Sequence, residues 1–356
     1  MPLVSVIIPN YNHARFLEKR IQSVLDQTFQ DFDLIILDDA STDNSREIIE
    51  RYRSHPKIVH IEYNETNSGT PFKQWNKGVR LAGGEYIWMA ESDDYADERF
   101  LEIMVPHLEV DPKVGLVNCQ SREVNERGDL RDIIQYSLLG ERWTKDYRND
   151  GQQECAQYLS FRCTVQNASS VLFRRDLFLK VGLADESMRQ AGDYLMWVKI
   201  LLNSDISFVA QPLNFYRDHA QNHSKQFYDS PTLWEEYMEV VGFILQSVTI
   251  SHETRVAVLR NLSDRLACSK LAIDFQTSVR SATGAQILKE VNAILPLSFE
   301  SMANEHYETA HRCYQFAAKC SRGCLRGRLA LVLFWLGQAG ATLRAVARTI
   351  KRRLPT

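Results

Sequence analysis

The sequence lacks the two glycine-rich motifs by which proteins most often bind phosphates. No G-x-G-x-x-G follows the first strand-like segment, and G-x-x-x-x-G-K-[ST] occurs nowhere in the 356 residues. Dinucleotide-dependent redox chemistry and P-loop hydrolysis therefore lose their main support. Cysteine is also scarce, with seven residues and an odd total. Together with the lack of a signal-peptide pattern at the amino terminus, this predicts a reducing, cytoplasmic compartment.

Acidic residues are missing from the end of the chain. None of the 45 Asp and Glu residues lies after Glu308, whereas ten of the 42 Lys and Arg residues do. A basic tail on an acidic body indicates contact with an anionic surface, either membrane or nucleic acid. Residues 329–343 are apolar and flanked by arginines, but they fall short of the roughly twenty residues that span a bilayer. We expect an interfacial helix on an anionic membrane and no nucleic acid; packing of this helix on protein is the alternative.

Apolar strand-like segments alternate with helix-like segments over about the first 110 residues. The predicted strands are residues 3–8, 32–37, 57–63 and 85–90. The predicted helices between them are residues 13–27, a helix capped at 42–44, and 71–82. Strands that are apolar on both faces and alternate with helices predict a parallel sheet covered on both sides. Later strands are predicted at 114–119, 169–174 and 206–217, a helix from Asp193 to Leu202, and helices without strands from residue 231 onward.

Polar clusters follow three of these strands at their carboxyl ends. They are Pro9-Asn10-Tyr11-Asn12, Asp38-Asp39 and Glu91-Ser92-Asp93-Asp94. Parallel sheets bind ligands beyond the carboxyl ends of their strands, so we expect the three loops to form one site. The three carboxylates of the last cluster repel one another, and Mg²⁺ or Mn²⁺ is the natural counter-charge. Capping of a helix that begins near Asp97 is the alternative role for this cluster.

In this order and at these separations, the clusters resemble the inverting glycosyltransferases of family 2, which have the GT-A fold. The resemblance is carried by residues 4–12, 36–43, 84–87 and 91–94 and extended by 191–197 and 216–224. It implies an α/β fold: a GT-A domain with a Rossmann-like, mostly parallel sheet flanked by helices, followed by a C-terminal helical extension. We predict the GT-A domain at 1–225, a helical region at 226–323 and a basic amphipathic helix at 324–356.

The resemblance also implies how a nucleotide would be bound. Tyr11 would stack on the base, and Asp39 would accept a hydrogen bond from a base N–H, which favours uracil or thymine. Asp38 would support the loop or share this role. The remaining nucleotide-binding candidates are Pro9, Asn12, Lys73, Asn76, Glu91, Ser92 and Arg217. Lys73 and Asn76 would face the nucleotide sugar, and Arg217 would neutralise the departing phosphate.

A metal and a general base complete the implied site. Asp93 matches the second Asp of the family's DxD motif and would bind Mn²⁺ or Mg²⁺, with His219 or His223 as a further ligand. Glu91 replaces the first Asp with a longer arm and would contact the ribose or a metal-bound water.

Asp193 would be the general base on its nearly apolar helix, with helix capping as the alternative. Family members often carry Glu directly before this Asp, where this sequence has Gly192.

These features together predict a metal-dependent inverting glycosyltransferase. It would move a sugar from a nucleotide-diphosphate sugar, UDP or dTDP favoured, to a glycan or lipid-linked glycan in cell-surface polysaccharide synthesis. It would lie in the cytoplasm, or peripherally on the inner face of the cytoplasmic membrane. The alternative is a catalytically silent nucleotide-sugar-binding scaffold of a polysaccharide assembly complex. A nucleotidyltransferase would carry a glycine-rich, basic loop after its first strand, and residues 9–12 are not such a loop.

Overall fold

The computed structural model describes residues 1–133, 140–220, 222, 230–268, 286–287 and 290. The chain divides into one unit of Met1–Tyr228 with Ile244–Thr249 and a second of Asp229–Phe243 with Ile250–Thr356. The division predicted at residues 225 and 323 stays a prediction, because the tail at 324–356 lies outside the described residues.

Four parallel strands open the first unit. They are β1 (Val4–Asn10), β2 (Phe32–Asp38), β3 (Ile58–Tyr63) and β4 (Tyr86–Met89), in the spatial order β3-β2-β1-β4. The connecting helices are α1 (Ala14–Leu25), α2 (Ser45–Tyr52) and α3 (Pro71–Leu81). Every residue of β1 is buried, as expected for a central strand that is covered on both faces. The predicted alternation of strands and helices is confirmed here.

The second half of the sheet is mixed. Its strands are β5 (Tyr95–Ala96), β6 (Val114–Asn125), β7 (Leu130–Ile133), β8 (Tyr147–Asn149), β9 (Val171–Arg174) and β10 (Asp205–Asp218). The helices between these strands are α4 (Phe100–Glu109), α5 (Gly151–Glu154), α6 (Arg175–Lys180) and α7 (Gly192–Leu201). Strand β9 lies antiparallel between β4 and β6, whereas β6 and β10 are parallel. The sheet order is β3-β2-β1-β4-β9-β6-β10-β5. The expectation of a mostly parallel sheet is confirmed, because β6 and β10 run in the same direction as the first four strands, whereas β5, β7, β8 and β9 run in the opposite direction.

Two further regions refine the sequence expectations. The polar stretch at 125–152, whose sequence has no regular strand or helix pattern, contributes β7 and β8 at the margins of the sheet. Two helices follow residue 230 as predicted, α8 (Pro231–Ser247) and α9 (His252–Cys268); residues 291–356, for which helices are also predicted, lie outside the described residues. Over the part of the chain that the structure describes, none of the helices combines the length and apolar character that crossing a membrane requires.

Strand β5 positions the end of β10 and the residues that follow it, which include Arg217 and His219. Its antiparallel pairing with β10 places Phe215 opposite Tyr95, and their rings stack with centroids 4.6 Å apart. The residues that follow in β10 and beyond are therefore carried onto the loop between β4 and β5. This pairing brings Arg217 and His219 to Asp93, more than 120 residues earlier in the chain.

Candidate active site

The loops after β1 and β2 are bonded to each other. The parallel register pairs Asn10 with Asp38, and the Asn10 amide donates to the Asp38 carboxylate at 2.7 Å. Asn12 has a left-handed backbone (φ 57°), which Asn adopts more easily than most residues, and its side chain accepts from the Thr42 amide at 2.7 Å. Asp38 thus supports the loop, as one of its two predicted roles requires. Tyr11, at the loop tip, is 45% exposed and available for stacking.

Asp39 is held by several donors at once. Its carboxylate accepts from Asn64 at 2.6 Å, from the Ser68 hydroxyl at 2.7 Å and from Gln74 at 2.8 Å, and the Ser68 backbone N–H adds a further bond. The residue is 5% exposed. These donors fix the carboxylate and satisfy most of its acceptor positions. A base N–H would therefore add to this network or displace the Ser68 hydroxyl.

Three of the predicted nucleotide-binding residues have other contacts in the protein. The buried Asn76 amide donates to the Ala184 carbonyl and accepts from the Ala184 N–H, both at 2.9 Å, and it also donates to Glu186. Asn76 therefore fastens α3 to the segment before α7, and contact with a nucleotide sugar would require these bonds to be exchanged. Lys73 is directed to the Ser68 carbonyl at 3.0 Å, and Pro9 is buried in β1 opposite Leu37.

The acidic loop after β4 is not a helix cap, because α4 begins only at Phe100. The Trp75 indole N–H donates to Glu91 at 2.8 Å. Asp94 is buried and accepts from Asn167 at 3.0 Å and from the Arg217 backbone N–H at 2.9 Å. The longer arm of Glu91 is thus used to reach an indole.

Electrostatics in this loop favour an added cation. Burial, and then the charge of Asp93, raise the pKa of Glu91 to about 8 and that of Asp94 to about 6. Burial also acts to raise the pKa of Asp93, but the hydrogen bond from His219 and the charge of His13 outweigh it and hold this pKa below its ordinary value. The cluster therefore concentrates its negative charge on Asp93.

A buried arginine, which the sequence analysis missed, lies beside this cluster. Arg20 of α1 is 0% exposed, and its Nε donates to the Glu91 carbonyl at 2.7 Å. Burial lowers its pKa to about 10, opposed by Asp94 and Asp93. Its two terminal nitrogens have no hydrogen-bond partner in the described structure. Arg20 is a fixed internal counter-charge, and its position on an amphipathic helix gave no sign of this role.

Three side chains could hold a metal ion. The ligand atoms of His13, Asp93 and His219 all lie within 4.8 Å of one another. His219 is buried, and its Nε2 is 3.1 Å from Asp93 Oδ2. The Ser92 hydroxyl lies 2.8 Å from Nδ1 of His13. Imidazole nitrogen and carboxylate oxygen are suitable ligands for a divalent transition metal, so the residues present fit the predicted ion.

His13 was not among the sequence candidates. The available signal was its position directly after Asn12, in a loop already assigned to the site. His223, the alternative to His219, lies outside the described residues.

The Arg217 guanidinium donates to the protein backbone. Its Nε donates to the Asp93 carbonyl at 2.9 Å and its Nη1 to the Asn125 carbonyl at 3.1 Å. The guanidinium also lies 4.6 Å from the Phe16 ring centroid, and the residue is 5% exposed. Arg217 thus shapes the acidic loop, and its contact with a departing phosphate stays a prediction.

Asp193 is the second residue of α7, one position inside the helix rather than at its cap. Its Oδ1 accepts from the N–H of Tyr194 at 2.7 Å. A Cβ atom on the preceding Gly192 would lie only 2.4 Å from the Phe72 ring. Phe72 packs on Trp75, which donates to Glu91, so continuous contacts lead from the start of α7 to the acidic loop. The space that a Glu before Asp193 would need is filled by Phe72.

The model of the family described as "Glycosyl transferase family 2" matches residues 5–182, which is half of the chain. The chain belongs to glycosyl transferase family 2. The match contains the loops after β1, β2 and β4, and it ends before Asp193 and His219. The predicted enzyme class, a glycosyltransferase, is confirmed at the level of the family.

The names of two similar proteins refer to the polymers teichuronic acid and poly(ribitol phosphate). The chain is 42% identical over 93 residues to the putative teichuronic acid biosynthesis glycosyltransferase TuaG of Bacillus subtilis, which covers 26% of this chain and 36% of the relative. It is 24% identical over 276 residues to the poly(ribitol-phosphate) β-N-acetylglucosaminyltransferase TarS of Staphylococcus aureus, which covers 73% of this chain and 44% of TarS. The chain thus spans less than half the length of these two relatives.

Solved structures show the same fold. TarS residues 1–349 in complex with UDP-GlcNAc superpose with a TM-score of 0.59 at 21% identity, covering 81% of this chain and 79% of that one. The mannosyltransferase PcManGT of Pyrobaculum calidifontis, in complex with GDP-Man and Mn²⁺, gives a TM-score of 0.53 at 15% identity, covering 99% and 87%. These likenesses confirm the predicted GT-A architecture.

Proposed function

We propose that this family 2 member transfers a sugar, with inversion, from a UDP or dTDP sugar to a glycan or lipid-linked glycan acceptor in bacterial cell-surface polysaccharide synthesis. The observation that carries the proposal is the placement of a fixed carboxylate, Asp39, and of a group that could hold a metal ion, containing Asp93 and His219, beyond the carboxyl ends of β2, β4 and β10 at one edge of the sheet. The TarS complexes with UDP and UDP-GlcNAc support the donor class. The names of TuaG and TarS support the polymer class.

The roles of the protein groups follow from their chemistry. Tyr11 is exposed for stacking on the base, and Asp39 accepts from an imide N–H, which uracil and thymine have and cytosine lacks. Mn²⁺ or Mg²⁺ held by Asp93 and His219 would supply positive charge to the diphosphate. Asp193 takes the proton of the acceptor hydroxyl. Its oxygen bonds to the anomeric carbon on the face opposite the nucleotide while the bond from that carbon to the diphosphate oxygen breaks and the nucleoside diphosphate leaves.

The test is release of UDP or dTDP from a panel of UDP and dTDP sugars with Mn²⁺, with water or added acceptor glycan as the nucleophile. Asp193→Asn should reduce turnover by about 10²- to 10⁴-fold, the usual contribution of a general base, while the affinity for UDP measured by calorimetry stays unchanged. Asp176→Asn is the matched control, because Asp176 also lies in the first turn of a helix and accepts from the next N–H, at 2.8 Å. Loss of UDP affinity in Asp193→Asn would contradict the assignment.

The scaffold alternative gives a different result in the same assay. A silent binder would be stabilised by UDP and Mn²⁺, because a ligand that binds only the native state raises its apparent stability, yet no panel sugar would be consumed.

Membrane attachment rests on the basic tail at 324–356 alone. Removal of this segment should release the protein from sedimenting anionic vesicles, and unchanged sedimentation would contradict attachment.

A further inference from the structure

Two imidazoles and one carboxylate lie together where three separate segments meet. His13 follows β1, Asp93 follows β4, and His219 follows β10. Their ligand atoms are within 4.8 Å of one another. An ion bonded to nitrogen and oxygen at about 2.0–2.2 Å can hold two ligand atoms up to about 4.4 Å apart, so small side-chain rotations would bring all three atoms to one ion.

The orientation of His13 is already determined. Nδ1 of His13 is 2.8 Å from the hydroxyl of the buried Ser92, a contact that assigns this nitrogen to the protein and leaves Nε2 for a ligand. Histidines that bind metals typically have the second nitrogen fixed in this way. His13 and His219 also meet edge to face, with ring centroids 5.6 Å apart. The His219 side chain is wholly buried, whereas Asp93 and His13 are partly exposed, so an ion would enter from their side.

We propose that His13 is a third protein ligand of the metal, beside Asp93 and His219, and that this two-histidine, one-carboxylate site binds Mn²⁺ or Co²⁺ before the nucleotide and discriminates against Mg²⁺. The inference deepens the proposed function, because it concerns the metal of the same site. Three protein ligands leave open positions on the ion for diphosphate oxygens.

The ligand set explains the discrimination. Mg²⁺ prefers oxygen ligands, keeps several waters and is usually held by one or two carboxylates plus substrate phosphates. Imidazole nitrogens suit transition metals, whose affinities rise from Mn²⁺ to Co²⁺. A site with Asp93 alone would bind Mg²⁺ and Mn²⁺ similarly and would depend on the nucleotide for affinity. Two imidazoles shift the preference toward the transition metals and make nucleotide-free binding possible.

The experiment titrates the full-length protein with MnCl₂ in the absence of nucleotide and follows free Mn²⁺ by electron paramagnetic resonance. His13→Ala should weaken binding at least tenfold, the lower end of the roughly 10- to 100-fold loss seen when even an outer partner of a metal ligand is removed. His107→Ala is the matched control, because His107 makes the same 2.8 Å contact with a serine, Ser207, and is not a member of the ligand group. Its Mn²⁺ affinity should equal that of the wild type.

A second variant tests the ligand role by rescue. His13→Asp replaces the imidazole with an oxygen ligand, so it should recover metal binding relative to His13→Ala and shift the ratio of Mn²⁺ to Mg²⁺ affinity toward Mg²⁺. If neither variant folds, pulsed resonance of Mn²⁺ in the wild-type protein decides, because two bound imidazoles give nitrogen couplings that a single histidine does not match in number.

Two results would overturn the proposal: wild-type Mn²⁺ affinity in folded His13→Ala, or no Mn²⁺ binding by the wild type without nucleotide. If the wild type transfers sugar and either result is obtained, the proposed function stands and only the assignment of His13 as a metal ligand fails. If Mn²⁺ binds through His13 but no nucleotide sugar is consumed, the assignment of His13 as a metal ligand stands and the proposed function fails.

Discussion

Two carboxylates on the same rim of the sheet are held in opposite ways. Asp39 is surrounded by neutral donors from Asn64, Ser68 and Gln74. Asp93 is bonded to one imidazole, with Glu91 and Asp94 close enough in the same loop for their pKa values to be raised. We call the Asp39 network the base side and the group of His13, Asp93 and His219 the metal side. The donors of the base side are in place before a ligand arrives, whereas the metal side is one ionised carboxylate with two imidazoles, a group that could hold a cation.

The largest expected effect separates the two sides. Asp93→Asn should lower the Mn²⁺-dependent affinity for UDP by at least about 100-fold, because a neutral amide replaces the charged metal ligand. Affinity for uridine, which has no phosphate, should stay unchanged. Calorimetry with UDP and with uridine measures both, and Asp97→Asn, whose carboxylate contacts Arg99 instead, is the control. An equal loss of uridine affinity would show that the sides are not independent.

A smaller effect is expected from the reciprocal substitution. Asp39→Asn replaces an acceptor oxygen with an NH₂ group that faces other donors, so the free energy of unfolding should fall by about 1–3 kcal/mol. Preference for uridine over cytidine should be lost as well. Urea denaturation measures the first effect and competition binding the second. Nucleotide-free Mn²⁺ binding is the internal control, and a change in it would contradict the separation of the two sides.

The smallest effect concerns pH. Because the pKa of Glu91 rises from 4.5 to about 8 on folding, its ionisation destabilises the metal-free protein progressively between these values. Glu91→Gln, which can still accept from Trp75, should match the wild type below about pH 4.5 and be the more stable protein above about pH 8. A difference of 1 kcal/mol corresponds to about 2–4 °C in Tm for a domain of this size.

Thermal melts across this pH range measure the Glu91 effect. Mn²⁺ should reduce the difference in Tm between Glu91→Gln and the wild type at pH 8.5, because a bound cation compensates the Glu91 charge in the wild type. A difference in Tm that stays constant from pH 4.5 to pH 8.5 would contradict this interpretation of the metal side.

Much of the base side could be predicted from sequence, because its elements are local. The strands at 3–8 and 32–37 are short apolar runs that end in polar residues, and a parallel register brings those ends together. The sequence pattern therefore predicts that Asp38 and Asp39 lie at this edge of the sheet. The donors that hold Asp39 come from the loop after β3 and from α3, and nothing in their spacing showed that they would surround a carboxylate.

The metal side depends on long-range pairing and was predicted only in part. His219 reaches Asp93 through the antiparallel pairing of β5, a two-residue strand too short to leave a sequence pattern. The sequence does not distinguish His13 from a solvent-exposed histidine, because its partner Ser92 lies 79 residues away along the chain. Asn76 shows the converse difficulty, because a buried amide that joins two segments has the same sequence signature as one that meets a ligand.

The contact between Gly192 and Phe72 links two positions that are far apart in the sequence. A side chain at residue 192 collides with the ring at residue 72, so restoring a Glu there is tolerated only after the ring has been replaced by something smaller. Shrinking residue 72 alone would open a cavity beside Trp75. The two positions are therefore coupled: each substitution is harmful alone, and a Glu directly before Asp193 requires that both residues change.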